Sequence, residues 1–283
     1  MIRGPAAGAQ LHKRGMGWAP GSADLVSVKT LRLPSALVVG ALATVALGGV
    51  SSPAIARQSV CTGAGGGGYT YAGHQATYEG HGVRARITAL RTPQVTGGHV
   101  AGWVGVGGPG QGPNGEDAWI QSGIASLPGM APFVYAEITR PGRHPQFMLV
   151  ESDVGVGSTR DIAVLEMGRR HGWWRVWVDG QAVTRPVKLR GSSGRWAPIA
   201  TAESLTDGSG CNRFSFRFER VSVSYGGGGS WRPFVPGYRF LDGGNRLRPL
   251  STTVPAERGV YARSLESDSP APYAFLATSG LNR

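Results

Sequence analysis

The chain has little cysteine, little lysine and no apolar segment long enough to span a membrane. Two of its 283 residues are cysteine and three are lysine. Its one long apolar run, residues 37–50, is shorter than the roughly 20 residues of a membrane-spanning helix. A G-x-S-x-G elbow, an H-E-x-x-H pair, an EF-hand loop and a glycine-rich phosphate loop are also absent. These absences argue against a serine hydrolase and a metalloenzyme.

Residues 1–56 have the organisation of an export signal. Basic residues precede the apolar run, and an A-x-A cleavage pattern, Ala54-Ile55-Ala56, follows it. We therefore predict cleavage after Ala56 and secretion of residues 57–283.

The two cysteines, Cys61 and Cys211, both lie in the secreted part. An even count in an exported chain predicts one disulfide between them. On the chain-entropy model a loop of about 150 residues would contribute roughly 5 kcal/mol. Such a bond would also tie down the Gly-rich leader, residues 57–68.

The predicted secreted part is basic, and almost all of its cations are arginine. The whole chain has 29 Lys and Arg against 17 Asp and Glu, and residues 57–283 keep 24 against 16, a net charge of +8. Since no nucleic-acid motif or basic run is present, we expect no nucleic-acid partner. We expect no membrane partner for the mature form either, and an anionic cell-wall polymer remains a candidate partner. We predict a monomer.

The histidines after residue 56 are not at the spacing of zinc ligands, and we predict no metal and no cofactor. The pattern places these side chains in solvated loops; they are His74, His81, His99, His144 and His171.

From Tyr69 onward, apolar residues alternate with polar ones and are interrupted about every ten residues by Gly, Pro or Asp. This pattern predicts an all-β protein, an antiparallel β-sandwich or jelly roll. Asp179-Gly180 predicts a tight hairpin between two such runs. The predicted strands are residues 83–89, 100–106, 118–124, 133–139, 161–167, 173–178, 183–189 and 214–223.

We expect one β-sandwich domain over residues 69–283. The tract 226–229 is predicted to be a loop tip. From about residue 232 the chain is Pro-rich, and we predict an extension with two more strands laid over the sandwich.

Four segments carry polar and aromatic residues suited to a substrate groove. They read W-V-G-V-G-G at 103–108, W-I-Q-S-G at 119–123, V-Y-A-E-I at 134–138 and A-E-S-L at 202–205. Strand parity puts Trp119 and Gln121 on one face of a sheet, and Tyr135 and Glu137 likewise. In order and spacing these segments resemble the motifs of the glutamic endopeptidases (eqolisins, peptidase family G1). The resemblance implies a concanavalin A-like sandwich.

The resemblance also implies site residues. The family's catalytic glutamine and glutamate correspond to Gln121 and Glu203, 82 positions apart. Glu203 would act as general base and then general acid, and Gln121 would donate a hydrogen bond to the oxyanion. Four substrate-binding residues are predicted around them: Trp103, Glu137, Trp119 and Tyr135. The substrate would be a polypeptide, and neither metal nor cofactor is required.

The chain departs from the family at one acidic position, where Gly107 replaces an Asp. Glu116 or Asp117 could supply the missing acid if the inserted loop, residues 109–115, folds back. The departures predict an activity that is altered or lost. Glu137 could equally be a buried acid paired with an arginine.

Other functions remain open from sequence. The same architecture fits a non-catalytic carbohydrate- or cell-wall-binding sandwich, a wall-associated structural protein, or a glycosidase using Glu137 and Glu203.

Overall fold

The computed structural model describes residues 68–206, 212–240, 248–249, 260–264 and 273–279. The predicted export signal, most of the Gly-rich leader and both cysteines of the predicted disulfide lie outside the described residues. The described ranges contain no α-helix, and therefore none that could cross a membrane; the one helical element there is a 3₁₀ turn at Pro113–Gly115.

Within the described residues, the first sheet has eight strands in the order β15-β14-β1-β11-β3-β4-β5-β6, and all neighbouring strands are antiparallel. Its strands are β1 (Gly68–Ala76), β3 (His99–Gly108), β4 (Ala118–Ser126), β5 (Phe133–Thr139), β6 (Gln146–Glu151), β11 (Ile199–Thr206), β14 (Pro236–Phe240) and β15 (Arg248–Pro249).

In the part of the chain that the structure describes, the second sheet has nine strands, seven of them in the order β10-β8-β7-β2-β12-β17-β16. In addition β13 pairs with β12, and β9 pairs with β8. Its strands are β2 (Gly82–Ala89), β7 (Thr159–Glu166), β8 (Trp173–Val178), β9 (Gln181–Ala182), β10 (Val187–Lys188), β12 (Ser215–Ser224), β13 (Trp231–Pro233), β16 (Val260–Ser264) and β17 (Tyr273–Ser279).

The hydrophobic core lies between the two sheets, because alternate residues of each strand point to the same face. The first sheet contributes small and branched side chains such as Val104, Ile120 and Ala202. The second sheet contributes aromatic ones, including Phe218 and Phe275, whose rings stack at 4.4 Å between centroids. The all-β, antiparallel sandwich predicted from period-two alternation is therefore confirmed.

Most predicted strands are present, two of them with the predicted bounds, β5 and β8. The hairpin at Asp179-Gly180 is confirmed, since both residues have positive φ, 47° and 79°, as a type I′ turn requires. The return strand predicted at 183–189 is wrong in extent. The strands there are Gln181–Ala182 and Val187–Lys188; between them the Val176 N–H donates to the Thr184 side chain instead of a backbone carbonyl, and Pro186 lacks the N–H that a ladder needs.

The C-terminal segment does not lie over the sandwich as predicted. Its strands instead extend both sheets, with β14 beside β1 and β17 beside β12. β17 also supplies Phe275 to the core. The segment therefore completes the fold.

Candidate active site

The predicted site residues share one face of the first sheet, the face that points away from the core. Directly paired residues of neighbouring strands lie on the same face. Gln121 pairs with Gly105 and Glu137, while Glu203 pairs with Ala101 and Tyr71. We call this surface the site face; it carries the predicted residues Trp103, Trp119, Gln121, Tyr135, Glu137 and Glu203. All six side chains are buried.

Of the two carboxylate oxygens of Glu203, one has a hydrogen-bond partner among the described residues and the other does not. Oε1 lies 3.0 Å from Nε2 of His99, and both residues are only 1% exposed. Among the described residues no group hydrogen-bonds to Oε2, although this atom is buried. Leaving a buried polar atom unsatisfied is unfavourable by about 1–3 kcal/mol. Such an atom in a native fold calls for a functional explanation.

Glu166 on β7 is a useful contrast, because it is equally buried and also pairs with a histidine. Its Oε2 lies 2.6 Å from Nδ1 of His81, and its Oε1 accepts a hydrogen bond from the backbone N–H of Gly172. Both oxygens of Glu166 are thus satisfied. The unsatisfied oxygen of Glu203 is not a general property of buried glutamates in this chain.

Gln121 and Tyr135 are linked directly. The Gln121 side-chain amide donates a long hydrogen bond, 3.4 Å, to the Tyr135 hydroxyl. Gly105 leaves room for Gln121 on the neighbouring strand, since a Cβ at Gly105 would lie 2.7 Å from the Gln121 Cβ.

Burial raises the pKa of the Tyr135 hydroxyl well above its usual value, and the negative charges of Glu203 and then Glu137 raise it further. Tyr135 therefore keeps its proton throughout the acid and neutral range.

Gln121 and Glu203 lie on the same face of the sheet, but their backbones are not adjacent. Gln121 is level with Gly105 on β3 and, through it, with Ile199 on β11, and Glu203 lies four residues beyond Ile199. Their backbones are thus two strands apart, about 10 Å, and offset by about 13 Å along the strands. Tyr135, which accepts the hydrogen bond from Gln121, lies on the same face of the sheet as both predicted catalytic residues.

Glu137 lies beside Gln121 and is held by an indole. The Trp119 Nε1–H donates to Oε1 of Glu137 at 2.9 Å. Trp103 lies on β3 between Thr201 and Gly123, its cross-strand partners on β11 and β4. These contacts bring Trp119, Gln121, Tyr135 and Glu137 into one connected group, with Trp103 on the same face.

The acid that the family has at position 107 is not replaced. Asp117 accepts a hydrogen bond from the Gly110 backbone N–H at 2.9 Å and so closes its own loop, while Glu116 is exposed. The idea that either residue folds back into the site is wrong.

The prediction that the histidines lie in solvated loops is wrong for three of the five. His99 and His74 are buried in strands, and His81 is paired with Glu166. The prediction holds for His144 and His171, which are exposed. Counting back by twos from Trp103 would have placed His99 on the site face, and this signal was available in the sequence.

No group of three or more side chains in the described ranges has an arrangement that could hold a metal ion.

No protein-family model matches the chain, and no curated protein sequence matches it significantly. Among solved structures it is similar to scytalido-glutamic peptidase in complex with a peptide-based transition-state analog (14% identity, TM-score 0.45). It is also similar to SCP-B, a member of the eqolisin family in complex with the tripeptide Ala-Ile-His (13% identity, TM-score 0.40). Each match covers 76% of this chain and 98% of the other.

A Bacillus licheniformis β-glucanase also matches, at 15% identity and a TM-score of 0.34, over 52% of this chain and 67% of the enzyme. The described strands themselves form a sandwich of two antiparallel sheets. The solved structures that the chain is similar to include glutamic peptidases, the family whose motifs its sequence resembles. At these identities and TM-scores the matches carry no residue roles, so the site is interpreted from its own geometry.

Proposed function

We propose that the protein is a secreted endopeptidase of the glutamic type, with Glu203 as general base and Gln121 as oxyanion donor. The observation that carries the proposal concerns the buried Glu203 carboxylate. Its Oε1 is hydrogen-bonded to His99, and no described residue hydrogen-bonds to its Oε2. A base needs a free oxygen in hydrogen-bond reach of the water that it activates.

The reaction balances with the groups of the site face alone. Oε2 of Glu203 takes a proton from water as the water oxygen attacks the peptide carbonyl carbon. The carbonyl oxygen becomes an oxyanion and accepts a hydrogen bond from the Gln121 amide. Glu203 then gives its proton to the departing amine, the C–N bond breaks, and the carboxylate is regenerated.

Tyr135 and Glu137 organise the donor side of the site. Tyr135 holds the Gln121 amide, and its raised pKa keeps its hydroxyl protonated as a second polar group near the oxyanion. Trp119 fixes Glu137 next to Gln121. Positioned acid–base catalysis contributes about 10²–10⁴-fold and one oxyanion donor about 10²–10³-fold.

The substrate class and the location follow from the proposed chemistry and the N-terminal pattern. The substrate is a polypeptide, the protein acts outside the cell after removal of residues 1–56, and no metal or cofactor takes part. A disulfide between Cys61 and Cys211 belongs to this picture of a secreted monomer.

The test is cleavage of a denatured protein by the purified chain between acid and neutral pH. We expect Glu203→Gln to lose activity by at least 10³-fold and Gln121→Ala by about 10²-fold. Glu166→Gln is the matched control, a buried glutamate with a histidine partner outside the site face, and should retain activity while folded. Absence of cleavage by the parent at every pH would refute the proposal.

A second candidate function is binding of an anionic cell-wall polymer without catalysis. The observation in its favour is a cationic and aromatic cluster on the second sheet. The Arg170 guanidinium lies 4.6 Å, and the Lys188 ammonium 5.8 Å, from the ring centre of half-buried Trp173. Salt-sensitive retention on an anionic polysaccharide, abolished by Arg170→Ala with Lys188→Ala and unchanged in Glu203→Gln, would favour this function.

A further inference from the structure

We propose that His99 is a positioning residue for Glu203: it fixes Oε1 so that Oε2 alone faces the reacting water. This inference rests on the proposed peptidase function. The contact that carries it is the 3.0 Å distance between Nε2 of His99 and Oε1 of Glu203, with both residues 1% exposed.

A glutamate needs such a partner more than most catalytic groups, because its carboxylate can rotate about the final side-chain bond. One strong hydrogen bond to one oxygen sets the direction of the other. A displacement of about 1 Å at a catalytic group can reduce the rate by about 10²-fold. His99 donates its hydrogen bond throughout the reaction and takes no proton from substrate or water.

His99 is itself held in place from two sides. The edge of its ring faces Tyr69 on β1, with 5.8 Å between the ring centroids. The Asn212 side-chain amide donates to the His99 backbone carbonyl at 3.3 Å.

Asn212 also ties together the two strands that carry the pair. Its amide nitrogen donates to the Gly97 carbonyl just before β3 at 2.9 Å, and to the Leu205 carbonyl on β11 at 2.8 Å. The register places Leu205 directly opposite His99. The backbone segments of His99 and Glu203 are therefore fixed relative to each other.

The pair of His81 and Glu166 shows what a structural version of this contact looks like. There the histidine is 23% exposed, and Glu166 is also bound by the Gly172 backbone, so that neither oxygen is left for another partner. The pair of His99 and Glu203 is more buried and leaves one oxygen of the carboxylate unbound by any described residue.

The test compares three substitutions at one position in the full-length, purified protein. His99→Gln keeps a side-chain N–H at about the reach of Nε2, His99→Asn keeps the amide but is one methylene shorter, and His99→Leu removes the donor. We expect kcat to fall by about 10²-fold in His99→Asn and His99→Leu, and by less than about tenfold in His99→Gln. KM should change by less than about threefold in all three, because His99 contacts Glu203 and not the substrate.

His81→Leu is the control, and it should leave kcat unchanged. Circular dichroism and thermal unfolding establish that each variant is folded, and His99→Asn serves in place of His99→Leu if the latter does not fold. If His99 had only a structural role, kcat would change in parallel with the stability of each variant, and His99→Gln and His99→Asn would have the same kcat. That outcome, or a folded His99→Asn with parental kcat, would overturn the inference.

The two proposals fail differently. If the parent cleaves no protein at any pH, the peptidase proposal is refuted, and the proposed role of His99 is refuted with it. The other case is a parent whose activity is abolished by Glu203→Gln but is unchanged by all three substitutions of His99. That result would refute the role of His99 and leave the peptidase proposal standing.

Discussion

Placing an Asp at position 107, as in the glutamic endopeptidases that the motifs resemble, should destabilise the protein without raising any proteolytic activity. Gly107 is the last residue of β3 that lies on the site face. Its φ is +84°, a backbone conformation that residues with a side chain rarely adopt. A Cβ at this position would lie 2.3 Å from the Ala118 carbonyl oxygen and 2.9 Å from the Trp119 Cα. Both are backbone atoms of the paired strand and cannot rotate away.

The magnitude follows from two contributions. The positive φ is unfavourable by about 1–2 kcal/mol for a residue with a Cβ. The overlap with β4 requires backbone movement, and overpacking of this kind typically adds about 1–3 kcal/mol. We therefore expect Gly107→Asp to lower the free energy of unfolding by about 2–5 kcal/mol, a large part of the 5–15 kcal/mol typical of a domain.

Gly115→Asp separates the two contributions. Gly115 also has positive φ, +75°, but a Cβ there would meet no atom within 4 Å. Its variant should lose only the backbone contribution, about 1–2 kcal/mol. Chemical denaturation of both variants and the parent at one pH gives the comparison. Equal losses at the two positions, or a gain of proteolysis in Gly107→Asp, would show that our interpretation of Gly107 is mistaken.

Two further predictions concern the buried aromatic residues. Because folding raises the pKa of Tyr135, the hydroxyl loses its proton at a lower pH in the unfolded chain than in the folded protein. Above about pH 10 this difference favours the unfolded chain. The parent should therefore lose up to about 1.4 kcal/mol of stability per pH unit relative to Tyr135→Phe. Denaturation at pH 8, 10 and 11 measures this difference, and parallel curves would contradict it. Phe218→Ala should lose about 3–5 kcal/mol, since its ring stacks on Phe275 in the core. Phe147→Ala, at a ring that is 41% exposed, is the control and should lose clearly less under the same denaturation.

The sequence was sufficient for features whose cause is local. Alternation with period two has one geometric meaning in a strand, so the sequence alone placed Trp119 with Gln121, and Tyr135 with Glu137. The hairpin at Asp179-Gly180 was equally predictable, because few residue pairs accept positive φ at both positions.

Features whose cause is remote were not predictable in this way. β6 (Gln146–Glu151) is an edge strand exposed on both faces, so its apolar residues do not alternate with polar ones. The pairing of Tyr71 with Glu203, and the contact of Glu203 with His99, depend on register between segments more than 100 residues apart. Period-two patterns fix the face of a side chain but leave this register open.

Among the described residues, three glutamates are buried, and their oxygens are bound in different ways. Glu137 accepts from an indole, and Glu166 has both oxygens bound, whereas Glu203 keeps one buried oxygen without a partner among the described residues. An amide at position 203 would still accept the hydrogen bond from His99, and it would bury a neutral group in place of a charged one. The Glu203→Gln variant should therefore be at least as stable as the parent, whereas Glu166→Gln should be less stable, because its amide nitrogen would face a donor. Under the proposed mechanism, Glu203→Gln would remove the buried charge and the general base together, and such a conflict between stability and activity is what a catalytic base is expected to show.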